Sequence, residues 1–367
     1  MQINLNLLYG FKNIILNCFD SVGTAPGPEN PYLNMLRHSQ SFLRKFHQLL
    51  PEKPQPAGIG VVVPENISPA RSRSLPNHPS ENIFPALLWR LGLPVRLVTP
   101  AQVTDHDDVF VLSGTTPDAL NRRQIKHIFH HGVLLDAHAA QTLQKMNLNR
   151  LMGLKVGRSL KNVQTEIFSD QSFAASFYGQ NTVLADHFGP RQFRRLRPDH
   201  PNARPITTLF CNNNTPYTEG IVVFDDIKNL NRCAVLPYCL NRLSYAPLLC
   251  TSRQRFFQDL FRYLLRRRLS CFVEHAADLV PFYLPTPQKD RLLICLLNVG
   301  FDWAIDSRVR LARLPFTVKR LRELDEHGRL NCPTELRLNI CRDYQYIQLN
   351  SDTAVPPMQM TVLLAEG

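Results

Sequence analysis

Side chains able to do chemistry concentrate between Asp107 and Gly153. Ser113-Gly114 and Asp136-Ala137-His138 each follow a short apolar run, and His127, His130, His131 and His138 lie close together. Asp136 has the chemistry of a nucleophile or a phospho-acceptor. An aspartate between a strand and a helix is also a routine N-cap, and capping is the expected role. On a helix, His127 and His131 stand one turn apart, yet no carboxylate or cysteine joins them at metal-site spacing. They are read as exposed helical histidines, with no metal and no cofactor expected. The nine cysteines (Cys18, Cys211, Cys233, Cys239, Cys250, Cys271, Cys295, Cys332, Cys341) form no C-x-x-C pair. Most sit in apolar runs such as L-L-I-C-L-L-N around Cys295, which reads as buried free thiols.

The elements that must position these groups follow from the apolar pattern. Val109–Leu112 and Val133–Leu135 are apolar throughout, and the segment between them carries Ile125, Ile128 and Phe129 on one stripe. Strand, helix, strand is the expected order, in a parallel sheet covered on both faces. Ligands of such sheets sit past the carboxyl ends of the strands, where Ser113 and Asp136 fall. Upstream, Ile59–Val63 and Val95–Val98 read as strands around a helix from Glu81 to Leu91 with Ser80 as its N-cap. The sum is a flavodoxin-like sheet of at least four parallel strands. Cys233–Tyr238 reads as a further strand after a loop-rich stretch, Leu154–Asn231. Ser252–Leu269 is an amphipathic helix with Phe256, Phe257, Leu260, Phe261, Leu264 and Leu265 inward and its arginines outward.

From Leu292 onward, short runs (Leu292–Val299, Val309–Leu314, Val318–Leu324, Leu336–Ile340, Tyr344–Leu349, Met358–Leu364) spaced by turn signals predict a small antiparallel β-sandwich. Before Lys53-Pro54-Gln55-Pro56, a linker by its prolines, stand a helix-like start, a strand over Asn13–Asp20 and an amphipathic helix from Tyr32 to Leu50. One parallel strand cannot bury both of its faces alone. The first 52 residues therefore read as the last β/α unit of a larger domain, with 53–275 an α/β domain and 276–367 the sandwich.

Composition narrows the partners. Of 367 residues, 44% are hydrophobic and 20% charged, as in an ordinary globular protein. No run is long enough to cross a membrane as a helix, and the N-terminus lacks a basic segment before an apolar core, so a cytoplasmic protein is expected. The net charge of +12 comes from scattered arginines without interleaved aromatics, which argues for a solvated basic face and against nucleic acid.

The motifs together resemble the C-terminal half of a bacterial β-galactosidase-like glycoside hydrolase. The resemblance rests on L-Y-G-F-K-N-I-I-L-N-C-F-D, on V-F-V-L-S-G with I-F-H-H-G-V-L-L-D-A-H-A-A-Q-T-L, on N-R-C-A-V-L-P-Y, and on L-L-I-C-L-L-N-V-G-F-D with R-E-L-D-E-H-G-R-L. It implies the end of a (β/α)8 barrel, a glutamine-amidotransferase-like α/β domain and a terminal β-domain. It also implies retaining chemistry by two carboxylates about 5–5.5 Å apart, on barrel strands that would precede Met1. What remains of such a barrel is its last strand, whose end, Asn17, Phe19 and Asp20, would line a sugar pocket. Amidotransferase chemistry needs a cysteine on a strand-to-helix turn, and here that turn reads Leu135-Asp136-Ala137-His138-Ala139. The chain is therefore expected to be the non-catalytic portion of a carbohydrate-acting hydrolase, truncated or paired with a separate barrel chain, and inactive by itself. The alternative is a free-standing oligomerisation or binding module, with a self-association surface within residues 57–270.

Overall fold

The computed structural model describes residues 2–11, 14, 31–64, 83–105, 108–173, 177–184, 193–211, 215–239, 248–267, 269–275, 278–312, 314, 316–332, 337–340, 345–349 and 355–367. It is a mixed α/β fold with several sheets. Two compact units are present, one formed by Met1–Ala57 with Ser270–Gly367 and the other by Gly58–Leu269. The chain opens with helices α1 (Gln2–Leu8) and α2 (Pro31–Leu49). The strand expected over Asn13–Asp20 lies outside the described residues apart from Ile14, as does the expected N-cap Ser80.

The Gly58–Leu269 unit is built on a seven-stranded sheet. Its first elements are β1 (Ile59–Val62), α3 (Ile83–Arg90), β2 (Val95–Val98), β3 (Phe110–Leu112), α4 (Arg122–His131), β4 (Val133–Leu135) and α5 (Ala137–Lys145). There follow β5 (Leu154–Ser159), β6 (Val163–Phe168), β7 (Asn181–Val183), β8 (Arg194–Pro198), β9 (Ala203–Pro205), β10 (Thr207–Cys211) and β11 (Pro216–Glu219). The unit closes with β12 (Val222–Asp226), β13 (Asn231–Val235) and α6 (Thr251–Leu265). The sheet runs β2-β1-β3-β4-β13-β12-β9. Pairs from β2 to β13 are parallel, and β12 and β9 extend the sheet antiparallel.

Alternation along the strands divides the core. Val62, Phe110, Leu112, Val133, Leu135, Cys233 and Val235 share one cluster with Ile125, Ile128 and Phe129 of α4 and with Ala139, Ala140 and Leu143 of α5. Val61, Val111, Leu134 and Ala234 are equally buried and belong to the opposite face. Helix α4 starts at a capping box, in which Asn121 accepts from the Gln124 amide and the Gln124 side chain accepts from Asn121. It ends at Gly132, whose φ of +96° and whose place 2.5 Å from the Leu264 carbonyl oxygen, measured from a would-be Cβ, leave no room for a side chain. The sequence stretch 154–231 resolves into a four-stranded sheet, β11-β10-β6-β7, and a ribbon, β5-β8.

In the other unit the strands are β14 (Cys271–Glu274), β15 (Leu279–Pro285), β16 (Arg291–Asn298), β17 (Arg308–Leu311), β18 (Arg320–Leu324), β19 (Leu330–Asn331), β20 (Arg337–Ile340), β21 (Gln345–Gln348) and β22 (Met360–Glu366). They form two sheets, β15-β16-β22-β18-β19 and β14-β17-β21-β20, with every pair antiparallel. Val273, Val309, Leu311 and Ile347 of one sheet share a core with Leu279, Ile294, Leu296 and Leu363 of the other. The second face of the larger sheet is also buried, at Val280, Phe282, Leu284, Leu293, Cys295 and Leu297. The N-terminal helices reach this unit. Tyr9 packs its ring edge against Phe282 at 6.2 Å, with burial pushing its phenol up, and a Cβ on Gly328 would come within 2.6 Å of the Ser41 carbonyl oxygen in α2.

Leu8 and Phe46 are fully buried, and each such side chain contributes roughly 1.5–3 kcal/mol. A chain beginning at Gln55 is therefore expected to be less soluble and to melt at lower temperature than the full chain, contrary to what an orphaned barrel remnant suggests. Equal melting and equal soluble yield would show that α1 and α2 contribute nothing to this unit.

Candidate functional site

The carboxyl ends of the parallel strands were the first place to seek chemistry. There Asp136 is fully buried. Its Oδ1 accepts from the Ala139 amide at 2.7 Å, and both of its oxygens receive the Gly114 amide, at 3.1 and 3.2 Å. It thus caps α5 and ties the turn after β3 to the turn after β4, the capping role expected of it. Thr142 closes the junction by donating to the Gly114 carbonyl at 3.3 Å. A carboxylate committed to backbone donors and sealed from solvent is poorly placed to attack a substrate.

One group at this edge escaped sequence reasoning. Cys239 follows β13, where the Ala137 amide donates to the Tyr238 carbonyl at 3.2 Å and the Arg194 amide to that of Pro237 at 2.7 Å. The fold brings its thiol beside Asp136, Arg194 and the backbone of His138. A cysteine is therefore near the turn that lacks one in sequence. Burial pushes this thiol up, Asp136 pushes it further, and Arg194 and the His138 backbone only partly offset them. The thiol stays protonated, the reverse of what a nucleophile needs. Its signal was legible, since Cys239 falls just past the Cys233–Tyr238 run as Ser113 and Asp136 fall past theirs.

Of the seven cysteines described, Cys233, Cys271 and Cys295 are buried as expected, whereas Cys250 and Cys332 are exposed. The expectation for α6 needs a correction. Arg255 and Arg262 face solvent, but Arg253 is fully buried and bonds Glu166, itself fully buried, at 2.5 Å. Glu166 also accepts from Thr207 Oγ1 at 2.5 Å, and Arg253 Nε donates to Thr182 Oγ1 at 3.2 Å. Burial opposes the charge on Arg253, yet the attraction of Glu166 outweighs it and raises its pKa. Sequence periodicity sorts residue types by face and cannot see a partner on β6.

The histidines belong to a different place. Lys126, His127 and His130 of α4 line a polar cleft of about 930 Å³ with Arg150, Asp199 and His200. It lies at the amino ends of β4 and β13, away from Asp136. His127 and His131 meet with ring centroids 4.4 Å apart and planes tilted by 43°. Among the described residues no group of three His, Cys, Asp or Glu side chains is arranged to hold a metal ion. Asn17, Phe19 and Asp20, expected to line a sugar pocket, lie outside the described residues.

No family model and no curated protein matches the chain by sequence. Its fold, in contrast, matches solved structures over nearly its whole length. Gan42B, a GH42 β-galactosidase from G. stearothermophilus, matches with a TM-score of 0.55 at 10% identity, over 93% of this chain and 45% of its own. The chain is similar in fold to the GH42 β-galactosidases. A β-galactosidase from Rahnella sp. R3 matches with a TM-score of 0.53 at 10% identity, over 92% of this chain and 45% of its own. Alpha-L-fucosidase isoenzyme 2 from Paenibacillus thiaminolyticus gives 0.57 at 10% identity, over 92% and 51%. The chain thus spans about half the length of these glycoside-hydrolase structures. Among the described residues no helix is long and apolar enough to cross a membrane.

Within this β-galactosidase-like fold the buried ion pair gives a test of structure. Arg253→Met leaves Glu166 charged in a dry site and is expected to cost about 3–5 kcal/mol, while Arg253→Met with Glu166→Leu should recover much of that loss. Denaturant unfolding of the two variants decides it, and a double variant no better than the single one would rule out an uncompensated charge as the cause.

Proposed function

We propose that the chain supplies the non-catalytic C-terminal portion of a β-galactosidase-like glycoside hydrolase acting on carbohydrate, with the catalytic carboxylates carried by a barrel outside it. The observation that carries this reading is coverage: 93% of this chain against 45% of Gan42B. Two features support it. The parallel order β2-β1-β3-β4-β13 supports reading a flavodoxin-like, glutamine-amidotransferase-like sheet, whose carboxyl edge holds a capped Asp136 and a Cys239 thiol pushed up by burial. The two antiparallel sheets around one core fit a terminal β-sandwich. The proposed domains remain 1–52, 53–275 and 276–367.

The barrel has a surface to meet. Between α1 and α2 runs a groove of about 660 Å³ lined by Ile3, Leu7, Leu33, Leu36 and Leu43, with Met35 exposed on the same helix pair. Half-buried aliphatic side chains in a row mark a docking face for the last barrel elements, in the same polypeptide or as a separate chain. By itself the purified chain should not cleave aryl β-galactosides. Turnover above a blank, abolished by changing a single carboxylate, would falsify the assignment of catalysis elsewhere.

A second reading, a free-standing assembly module, is favoured by one loop that lies outside the 57–270 stretch expected to self-associate. Phe301, Trp303 and Ile305 are 88%, 60% and 50% exposed, yet their loop is held firmly. Asn298 Nδ2 donates to the Asp302 and Val355 carbonyls at 2.8 Å each, and Ala304 bridges Val355. A pre-ordered loop that presents large apolar side chains to solvent is suited to a partner surface, here a second copy of the chain. The net charge of +12 opposes like subunits at low salt. Light scattering in moderate salt should show mass rising with concentration, and Phe301→Ser with Trp303→Ser should abolish the rise. A strictly monomeric mass throughout removes this second reading and leaves the first intact.

A further inference from the structure

The polar cleft at the amino ends of β4 and β13 has no part in the reading above, and it is a constructed feature. Gly153, at φ +62°, sits against the Phe224 ring, which a Cβ there would meet at 2.4 Å, and its carbonyl receives the Asp199 amide at 2.8 Å. The turn that follows is fixed by Asn202, whose amide donates to His200 Nδ1 at 3.1 Å and whose side chain donates to the Asp225 carbonyl at 3.1 Å. Because Nδ1 of His200 is used as an acceptor, the neutral ring carries its proton on Nε2 and is a donor there. Edge contact with Phe224, at 5.2 Å between ring centroids, holds the imidazole in place.

Charge in the cleft is unevenly committed. Asp199 pairs with Lys155 at 3.0 Å. Asp226 accepts from the Asn229 side chain at 2.6 Å and its amide at 3.2 Å. Those bonds hold its carboxyl below the usual range. Asp199 is thus neutralised by Lys155, whereas Asp226, bonded to a neutral amide, keeps its negative charge. The two cations, Lys126 and Arg150, have no ion-pair partner among the described residues, and His130 and His200 add imidazole donors. Asn149 and Asn231 supply amides, each able to donate and accept. With Asp199 offset by Lys155, Lys126 and Arg150 outweigh Asp226, and this positive balance beside planar polar groups suits a ligand that is both anionic and rich in hydroxyls. A volume of about 930 Å³ accommodates a small molecule and some water.

We propose that this cleft, framed by Lys126, Arg150, His130 and His200, is a binding site for a small sugar that carries a phosphate or a carboxylate. Lys126 and Arg150 hold the anion, and the asparagine amides and His200 Nε2 take the hydroxyls. The test reads binding and does not depend on glycosidase activity.

Calorimetric titration of the full chain with galactose 6-phosphate, galacturonate, galactose and inorganic phosphate tests it. Expected is saturable binding of one of the two anionic sugars, which identifies the source of the anion, weakened by added salt. Lys126→Ala and Arg150→Ala should each lower affinity about tenfold, in keeping with a charge-assisted hydrogen bond, whereas Arg158→Ala should not. Both residues are exposed, so unchanged melting of the variants separates lost binding from lost fold. The proposal is overturned if no probe gives saturable heat at millimolar concentration, if galactose or phosphate binds as tightly as the anionic sugars, or if the Lys126 and Arg150 variants bind unchanged.

Discussion

The fold of the α/β unit turns on the buried contact between Arg253 and Glu166. Two charges taken out of water lose hydration that their mutual attraction repays only when the remaining donors and acceptors are also met. Here Thr207 serves Glu166 and itself receives the Ile221 amide at 2.6 Å, and Thr182 takes Arg253 Nε, while Arg253 Nη1 has no hydrogen-bond partner among the described residues. The guanidinium also lies over the Phe168 ring at 4.8 Å, which replaces part of its lost hydration. These bonds converge from β6, β7, β10 and the segment before β12, so that α6 fits the small sheet in one register. A slip of one residue would bury an unpaired charge.

Helix α6 passes that register to the larger sheet. On its other side Gln254 donates to the Leu91 carbonyl at 3.1 Å, and Leu264 packs its backbone against Gly132 at the start of β4. Because both flanks of α6 are covered, its buried arc includes Arg253, Gln254 and Gln258 along with the phenylalanines. That breadth explains how a single polar pair can constrain strands from β1 to β13. It also explains the closed carboxyl edge, where β13 leads into Tyr238, a fully buried residue whose phenol is pushed up by burial and by Glu166. The same anchor that orders the unit therefore keeps this edge dry and committed to structure, and leaves open the opposite end, with its polar cleft.

Much of this was legible. Strands β1 to β4 were readable because runs such as Val133–Leu135 are apolar on both faces, and α4 because Ile125, Ile128 and Phe129 keep helical spacing between a capping box and Gly132. Strand β15 was not, since Pro281 and Pro285 argue against a strand; an edge position tolerates their missing donors. The covering of the larger C-terminal sheet on both faces was also missed. The run L-L-I-C-L-L-N does signal it, being continuously apolar where a one-sided antiparallel strand alternates, but nothing local to it identifies Tyr9 as the cover for Phe282. The partnership of Arg253 with Glu166, 87 positions away, is beyond any periodicity. For the candidate site, the capping role of Asp136 was readable from its position, whereas the joining of His130 with Arg150 and His200 depends on three separate turns.

At about 10% identity to Gan42B, likeness of fold is maintained by a kind of constraint that tolerates sequence change. Apolar residues exchange freely at a buried face, and a few backbone approaches, such as Gly132 against Leu264 and Gly58 against the Pro94 carbonyl at 2.5 Å, fix the geometry. Catalysis lacks that tolerance, because a reacting carboxylate cannot be replaced by another residue of similar size. A shared fold at this distance therefore does not by itself establish an active site. The function must be read from the groups in place. Among the described residues those are a capped Asp136 and a thiol, Cys239, pushed up by burial at one end of the sheet, and Lys126 and Arg150 beside a cleft at the other.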